Sequence, residues 1–227
     1  MPRPPGTVLR LTAKEHLGPA PGGGSGAQLY KVMEEECTHV VKFKGTNQGI
    51  RILFNEYVSG RLGELIGVPF GDHALIDVSD FLHPPAGTPN IRDRIPGIQF
   101  STTYFQDGQT DRAQLRGAVN FRSHFPGVPV FDTFIARGDS RQYVVYSGSQ
   151  NGVRDTGAIF DQGFAFTGSP VWTGPSLDAD NNCVANDPLG LKGDIGGFAD
   201  YDPFIQRVEL LTPAELREVV YEAPLAE

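Results

Sequence analysis

A single helical segment with strand-like stretches on both sides limits what this chain can fold into more than any other feature. From residue 48 to 66 the apolar positions Ile50, Leu53, Phe54, Tyr57, Val58, Leu62, Leu65 and Ile66 recur with a 3.6-residue period, the signature of an amphipathic helix, and Gly67 is its natural stop. Three β-type stretches precede it. Residues 7–12 and 27–33 alternate as strands do, and residues 38–44 are rich in β-branched and aromatic side chains,. A further short apolar run at 73–78 reads as a strand. This order predicts an α+β fold in which a small sheet packs against one helix.

The second half carries weaker periodicity. Residues 83–97 contain four prolines and little pattern, so the boundary between an amino-terminal unit, 1–82, and a carboxy-terminal unit, 83–227, is placed there. Beyond it the pattern predicts a helix near 130–135, short strands at 142–146 and 158–160, a loop-rich span from 168 to 197, and a helical tail. Two helix starts are clear in that tail: Asp202-Pro203, and the capping box Thr212-Pro-Ala-Glu215 with proline at the first helical position,.

Composition narrows the function. The net charge is −8, which argues against a protein that tracks nucleic-acid phosphates, since that needs clustered Lys and Arg. No apolar run approaches the roughly 18 residues of a membrane span, and the amino terminus lacks a signal-peptide core. Cys37 and Cys183 lie far apart with no C-x-x-C spacing, so neither a disulfide framework nor a cysteine zinc site is indicated, and a reducing cytoplasm fits. The five histidines show no H-E-x-x-H or H-x-H spacing, which gives a metal-hydrolase reading little support. Asp178-Ala-Asp-Asn-Asn182 begins like a calcium loop, but Cys183 and Leu189 stand where that loop needs glycine and glutamate,. Trp172, the only tryptophan, reads as a packing residue of its loop.

Four features carry chemistry. The segment Gly22-Gly-Gly-Ser-Gly26 lies between two strands, where glycine permits close backbone approach to phosphates; read alone it could equally be a surface hairpin loop. Lys42 stands in the apolar strand Val40-Val-Lys-Phe43, where an unpaired ammonium is costly to bury, and Glu56 on the following helix is its expected partner. Lys44 shares its sheet face and is the competing lysine, and a solvated face for both residues remains the alternative. Asp139 precedes the strand at 142–146, and Asp161 follows the strand at 158–160 with Gly163 shaping the turn after it. Two acids at neighbouring strand ends can serve metal-assisted phosphoryl transfer, although Asp-x-Gly is also ordinary turn chemistry.

Taken in order, these residues resemble the HipA-like kinases, and more narrowly their short stand-alone domains. The similarity runs from about Leu9 to Leu211. It rests on Gly22–Gln28, on Val40-Val-Lys-Phe-Lys-Gly-Thr-Asn-Gln-Gly49, and on Phe54-Asn-Glu56 with Arg61-Leu-Gly-Glu-Leu-Ile-Gly-Val-Pro69. Pro96-Gly-Ile-Gln-Phe100 and Phe160-Asp-Gln-Gly-Phe-Ala-Phe166 complete it. The resemblance implies a two-lobed protein-kinase-like fold, with a sheet-plus-helix amino-terminal lobe, a mainly helical carboxy-terminal lobe, and ATP with Mg²⁺ between them. It also implies phosphate transfer to Ser or Thr of a protein substrate.

Carried onto this chain, the resemblance makes Lys42, Glu56 and Asp139 catalytic and makes Asp161 the principal metal ligand. Gly22, Gly23, Gly24 and Ser25 become the phosphate loop, Ser25 being also a candidate for self-modification. The strand holding Ile76 and Val78 becomes the lead into the adenine-contacting hinge. One position departs from the pattern: the usual metal-binding asparagine about five residues after the catalytic aspartate is Val144 here, and Gln142 is the substitute. Arg141 is an alternative source of charge near the phosphates. A nucleotide-binding pseudokinase, and a nucleotidyl or small-molecule transferase on the same fold, are the rival functions. The amino-terminal extension of the larger HipA toxins is expected to be absent.

Overall fold

The computed structural model describes residues 7–22, 26–136, 142–146, 156–161, 163, 165–166, 194–195 and 197–223. It is a mixed α+β molecule. Strands β1 (Arg10–Pro19), β2 (Gln28–Val32) and β3 (Thr38–Lys42) lead into helix α1 (Ile50–Ile66) and strand β4 (His73–Val78), followed by β5 (Gly97–Thr103). Three helices come next: α2 (Arg112–Gly117), α3 (Phe121–His124) and α4 (Gly127–Phe134). The hairpin β6 (Gln142–Tyr146) and β7 (Thr156–Phe160) and the tail helices α5 (Asp202–Leu210) and α6 (Pro213–Glu222) complete the described elements.

The first five strands close into a barrel in the order β1-β2-β3-β5-β4, where the sequence predicts a small sheet packed on one helix. Closure comes from two pairings. Strand β1 runs parallel to β4 over Arg10–Thr12, opposite Leu75–Asp77. Strand β5 lies antiparallel between β3 and β4, with Phe100 opposite both Lys42 and Leu75. The sheet therefore extends beyond the proline-rich stretch that suggested a boundary at residue 82. Strand β5 escapes a periodicity search because its inward positions are polar: Gln99 and Ser101 are fully buried. Gln99 spends its amide on the Lys44 N–H and the Ile95 carbonyl.

Strand alternation sorts the barrel residues into two cores. Leu11, Ala13, Tyr30, Val32, Val41, Phe43, Ala74, Ile76 and Val78 fill the interior. The opposite parity, represented by Leu75 and Phe100, faces α1 and joins a larger core with Phe121, Phe125, Phe131, Ile159 and Phe204. Helix α1 is central to that core and is buried from Ile52 through Gly63 except Phe54. Phe70 and His73 rings lie where a Cβ on Gly63 or Gly60 would stand, so those glycines let α1 approach its neighbours. The helix stops at Gly67, whose φ of 88° is left-handed and whose N–H bonds the Gly63 and Glu64 carbonyls,.

The tail agrees with its sequence signals. Helix α5 opens at Asp202 with proline in its first turn. Thr212 and Glu215 form the reciprocal capping box at the start of α6. Buried Arg61 on α1 then ties the tail to the core: its Nε donates to Glu222 on α6 at 2.8 Å, and its Nη1 pairs with Glu64. Tyr57 Oη donates to the same Glu222 carboxylate at 3.2 Å. Among the described residues no helix is long and apolar enough to cross a membrane.

Candidate functional site

The antiparallel ladder puts two of the sequence features at one end of the barrel. Gln28 at the start of β2 lies opposite Val41 near the end of β3, so the chain enters β2 at the end of the barrel where Lys42 stands. Gly22 itself has a φ of 69°, a conformation natural to glycine. The loop is closed by the Ala20 N–H donating to the Ala27 carbonyl at 2.9 Å. Gly23, Gly24 and Ser25 lie outside the described residues.

Lys42 has the outward parity, facing α1, and there it meets Glu56. The ammonium pairs with Glu56 Oε1 and with Asp161 Oδ1, the latter at 3.1 Å. Glu56 is almost wholly enclosed, with 3% of its side chain exposed, while Asp161 keeps 30%. Burial alone would discharge Lys42, but the two carboxylates outweigh it and hold its pKa above the ordinary lysine value,. Burial also raises Glu56 above the usual carboxylate range, with Asp161 adding to the rise and Lys42 opposing it. The site thus holds one cation against two acids, with the more open acid facing solvent.

The β6–β7 hairpin supplies the third side. Gln142 and Phe160 are register partners, so the first residue of β6 sits beside Asp161, the residue after β7. Gln142 Nε2 donates to Asp161 Oδ2 at 2.9 Å. Asp161 has a φ of 61°, a left-handed conformation that Asp tolerates better than most residues and that marks a constrained turn. Asp139 and Arg141 lie outside the described residues. Val144, by contrast, is buried and packs where a Cβ on Gly108 would stand, so it offers nothing to a ligand.

Periodicity gave no hint of how the Asp161 turn is held. Asn55, fully buried beside Glu56 on α1, donates its amide to the Gly163 carbonyl at 2.8 Å and to the Ala165 carbonyl at 3.2 Å. A Cβ on Gly163 would lie 2.4 Å from Ile52 Cγ1 and 3.3 Å from Glu56 Oε1. Gly163→Ala therefore forces the turn away from α1, with an expected loss of about 1–3 kcal/mol from overpacking and a melting midpoint lower by several degrees. An unchanged midpoint in a thermal melt would contradict this packing.

Two expected site residues are not brought here. Ile76 and Val78 point their side chains into the barrel interior, away from the face that carries Lys42. Their backbone groups are also engaged. The Leu75 N–H donates toward β1, to the Leu9 carbonyl, so alternation turns Ile76 and Val78 toward β5, opposite Gln99 and Gly97,. Lys44, the competing lysine, lies outside the Lys42 cluster and lines a separate cleft with Ile50, Leu53, Tyr57, Phe100 and Ala223.

No family model and no curated protein matches the sequence. Among solved structures, the chain is similar to the crystal structure of a Helicobacter pylori proinflammatory kinase, CtkA. The TM-score is 0.43 at 11% identity, over 96% of this chain and 93% of that one. A likeness that distant carries no weight for activity, which has to be judged from the site itself.

Proposed function

We propose that this protein is an ATP- and Mg²⁺-dependent phosphotransferase, a HipA-like Ser/Thr protein kinase in type, with its nucleotide at the Lys42 end of the barrel. The observation that carries the proposal is the three-way contact of Lys42 with Glu56 and Asp161, which joins a strand, a helix and a loop distant in sequence. A lysine held charged by an acid behind it, with a second acid exposed in front, is the arrangement that phosphoryl transfer requires. In the two-lobed layout proposed with it, the barrel and α1 form one lobe and the elements from α2 onward form the other.

The donor atoms fit the metal. Asp161 offers a carboxylate and Gln142 an amide oxygen once its side chain turns over, both hard oxygen ligands suited to Mg²⁺. Bound there, Mg²⁺ would neutralise charge on the phosphates. The protein's own part is positional: Glu56 orients Lys42, the Lys42 ammonium receives phosphate oxygens, and the glycine loop from Gly22 to Gly26 would offer backbone N–H groups to the phosphates. Asp139, three residues before Gln142, is proposed to orient the acceptor hydroxyl and take its proton.

A second reading, a nucleotide-binding pseudokinase, is favoured by two observations: Gln142 turns its amide nitrogen toward Asp161, and Val144 is buried. Incubation with Mg²⁺ and ATP labelled at either the γ or the α position separates the possibilities. The proposal expects transfer from γ alone, accompanied by a mass increase of one phosphoryl group and abolished in Asp161→Ala. Binding without transfer would leave the pseudokinase, and label arriving only from α would mean nucleotidyl transfer.

A further inference from the structure

We infer that Glu35, Cys37 and His39 form a second, independent metal site, suited to a zinc-type divalent cation, at the end of the barrel opposite the Lys42 cluster. Glu35 and Cys37 lie in the β2–β3 turn and His39 at the start of β3. His39 Nε2 lies 2.8 Å from Glu35 Oε1 and 3.2 Å from Cys37 Sγ. The three ligand atoms all fall within 4.8 Å of one another. A tetrahedral zinc ion with N, S and O ligands at about 2.0–2.3 Å holds those atoms roughly 3.2–3.6 Å apart, so small shifts would admit the ion. The donor set of imidazole, thiolate and carboxylate matches zinc and is foreign to Mg²⁺, which takes oxygen ligands.

Burial grades the three in the way a three-ligand site with an open fourth position does. His39 is fully enclosed at the barrel mouth, Cys37 is half-buried, and Glu35 is exposed. The imidazole Nε2 faces the other two ligand atoms and would bind the ion through its lone pair, with the ring proton on Nδ1, which is buried with no hydrogen-bond partner among the described residues,. Asp72, close enough to act on both Cys37 and His39, adds negative charge beside the site. On binding, the Cys37 S–H bond breaks, its electron pair forms the S–Zn bond, and the proton passes to the buffer.

The site is distinct from the phosphotransfer site. His39 is three residues before Lys42 on β3, about 10 Å away at the strand rise, and points to the opposite face of the sheet. Periodicity and motif spacing pass over it because Glu-x-Cys-x-His in a turn-to-strand junction matches no established zinc spacing.

The test is titration of the nucleotide-free protein with Co²⁺ and then Zn²⁺. The expected result is one Co²⁺ per chain, with a thiolate-to-cobalt charge-transfer band that Zn²⁺ displaces and Mg²⁺ does not. Cys37→Ser should remove the band, and Glu35→Gln should weaken binding by about 10–100-fold. Cys183→Ser should retain both the band and the stoichiometry, as should Asp161→Ala, so the outcome is independent of the kinase proposal. Circular dichroism of each variant checks that the barrel persists. Absence of a band in the wild type, or a band that survives in folded Cys37→Ser, would overturn the inference.

Discussion

Replacing Lys42 with methionine is expected to lower phosphotransfer by about 10²–10³-fold, the usual effect of removing one preorganised charge-stabilising donor. The same change should make stability depend on pH in a new way. In the wild type, burial and Asp161 raise the Glu56 pKa while Lys42 opposes them. Without Lys42 only the raising causes remain, and the carboxyl climbs further above its unfolded value. A group whose folded pKa is raised contributes stability below its unfolded pKa and loses it as pH rises through the folded one. The melting gap between Lys42→Met and the wild type should therefore widen as pH goes from about 5 to about 8. An equal gap at both values, measured by thermal melts, would mean that Glu56 is not enclosed beside Asp161 as described.

The largest stability effect is expected away from the site. Arg61 is fully buried, with Glu222 and Glu64 gathered round its guanidinium and Tyr57 bonded to Glu222. The pair links α1 to a helix 161 positions later in the chain. Arg61→Ala would take the guanidinium away from the buried Glu222 carboxylate and the partly buried Glu64, and removing one partner of a buried pair typically costs about 3–5 kcal/mol. For a chain of this length the melting midpoint should fall on the order of 10 °C. The loss reflects stranded charge more than the worth of the bridge, since an apolar replacement of the whole cluster can be neutral or stabilising. Replacing Arg61 and Glu222 together by apolar residues of similar size should accordingly recover part of the loss. A double variant no more stable than Arg61→Ala would contradict this account.

The Lys42–Glu56 contact was legible in the sequence because each partner broke a local rule. A lysine in an apolar strand requires a counter-charge, and the next element offered one at a helical position. Asp161 was legible through the turn after its strand, and Gln142 follows from the register of β6 with β7, which pairs it with Phe160. The polar lining of β5 was not legible, because Gln99 and Ser101 invert the expected inside-apolar pattern. Nor was barrel closure, which depends on the short parallel contact of β1 with β4. Strand β1 also runs on to Pro19 through Lys14, Glu15 and His16, polar residues that hide its length. Helices α2 and α3, of six and four residues, are too short to show a period.

Asn55 shows where local reading stops. Its neighbours in Phe54-Asn-Glu56 marked the block, yet its task is to hold Gly163 and Ala165, over a hundred residues away. Long-range hydrogen bonds of this kind leave no trace in periodicity. Ile76 and Val78 illustrate the converse. Their apolar strand was read correctly as a strand, but the run itself does not show that it lies between β1 and β5.

Calorimetric titration of the protein with ATP, with and without Mg²⁺, tests the central claim most directly. One nucleotide per chain, with binding that requires Mg²⁺ and is lost in Asp161→Ala, is the predicted result. Failure of the wild type to bind, or binding of the same strength in Asp161→Ala, would contradict the assignment of Lys42, Glu56 and Asp161 to a nucleotide–metal site.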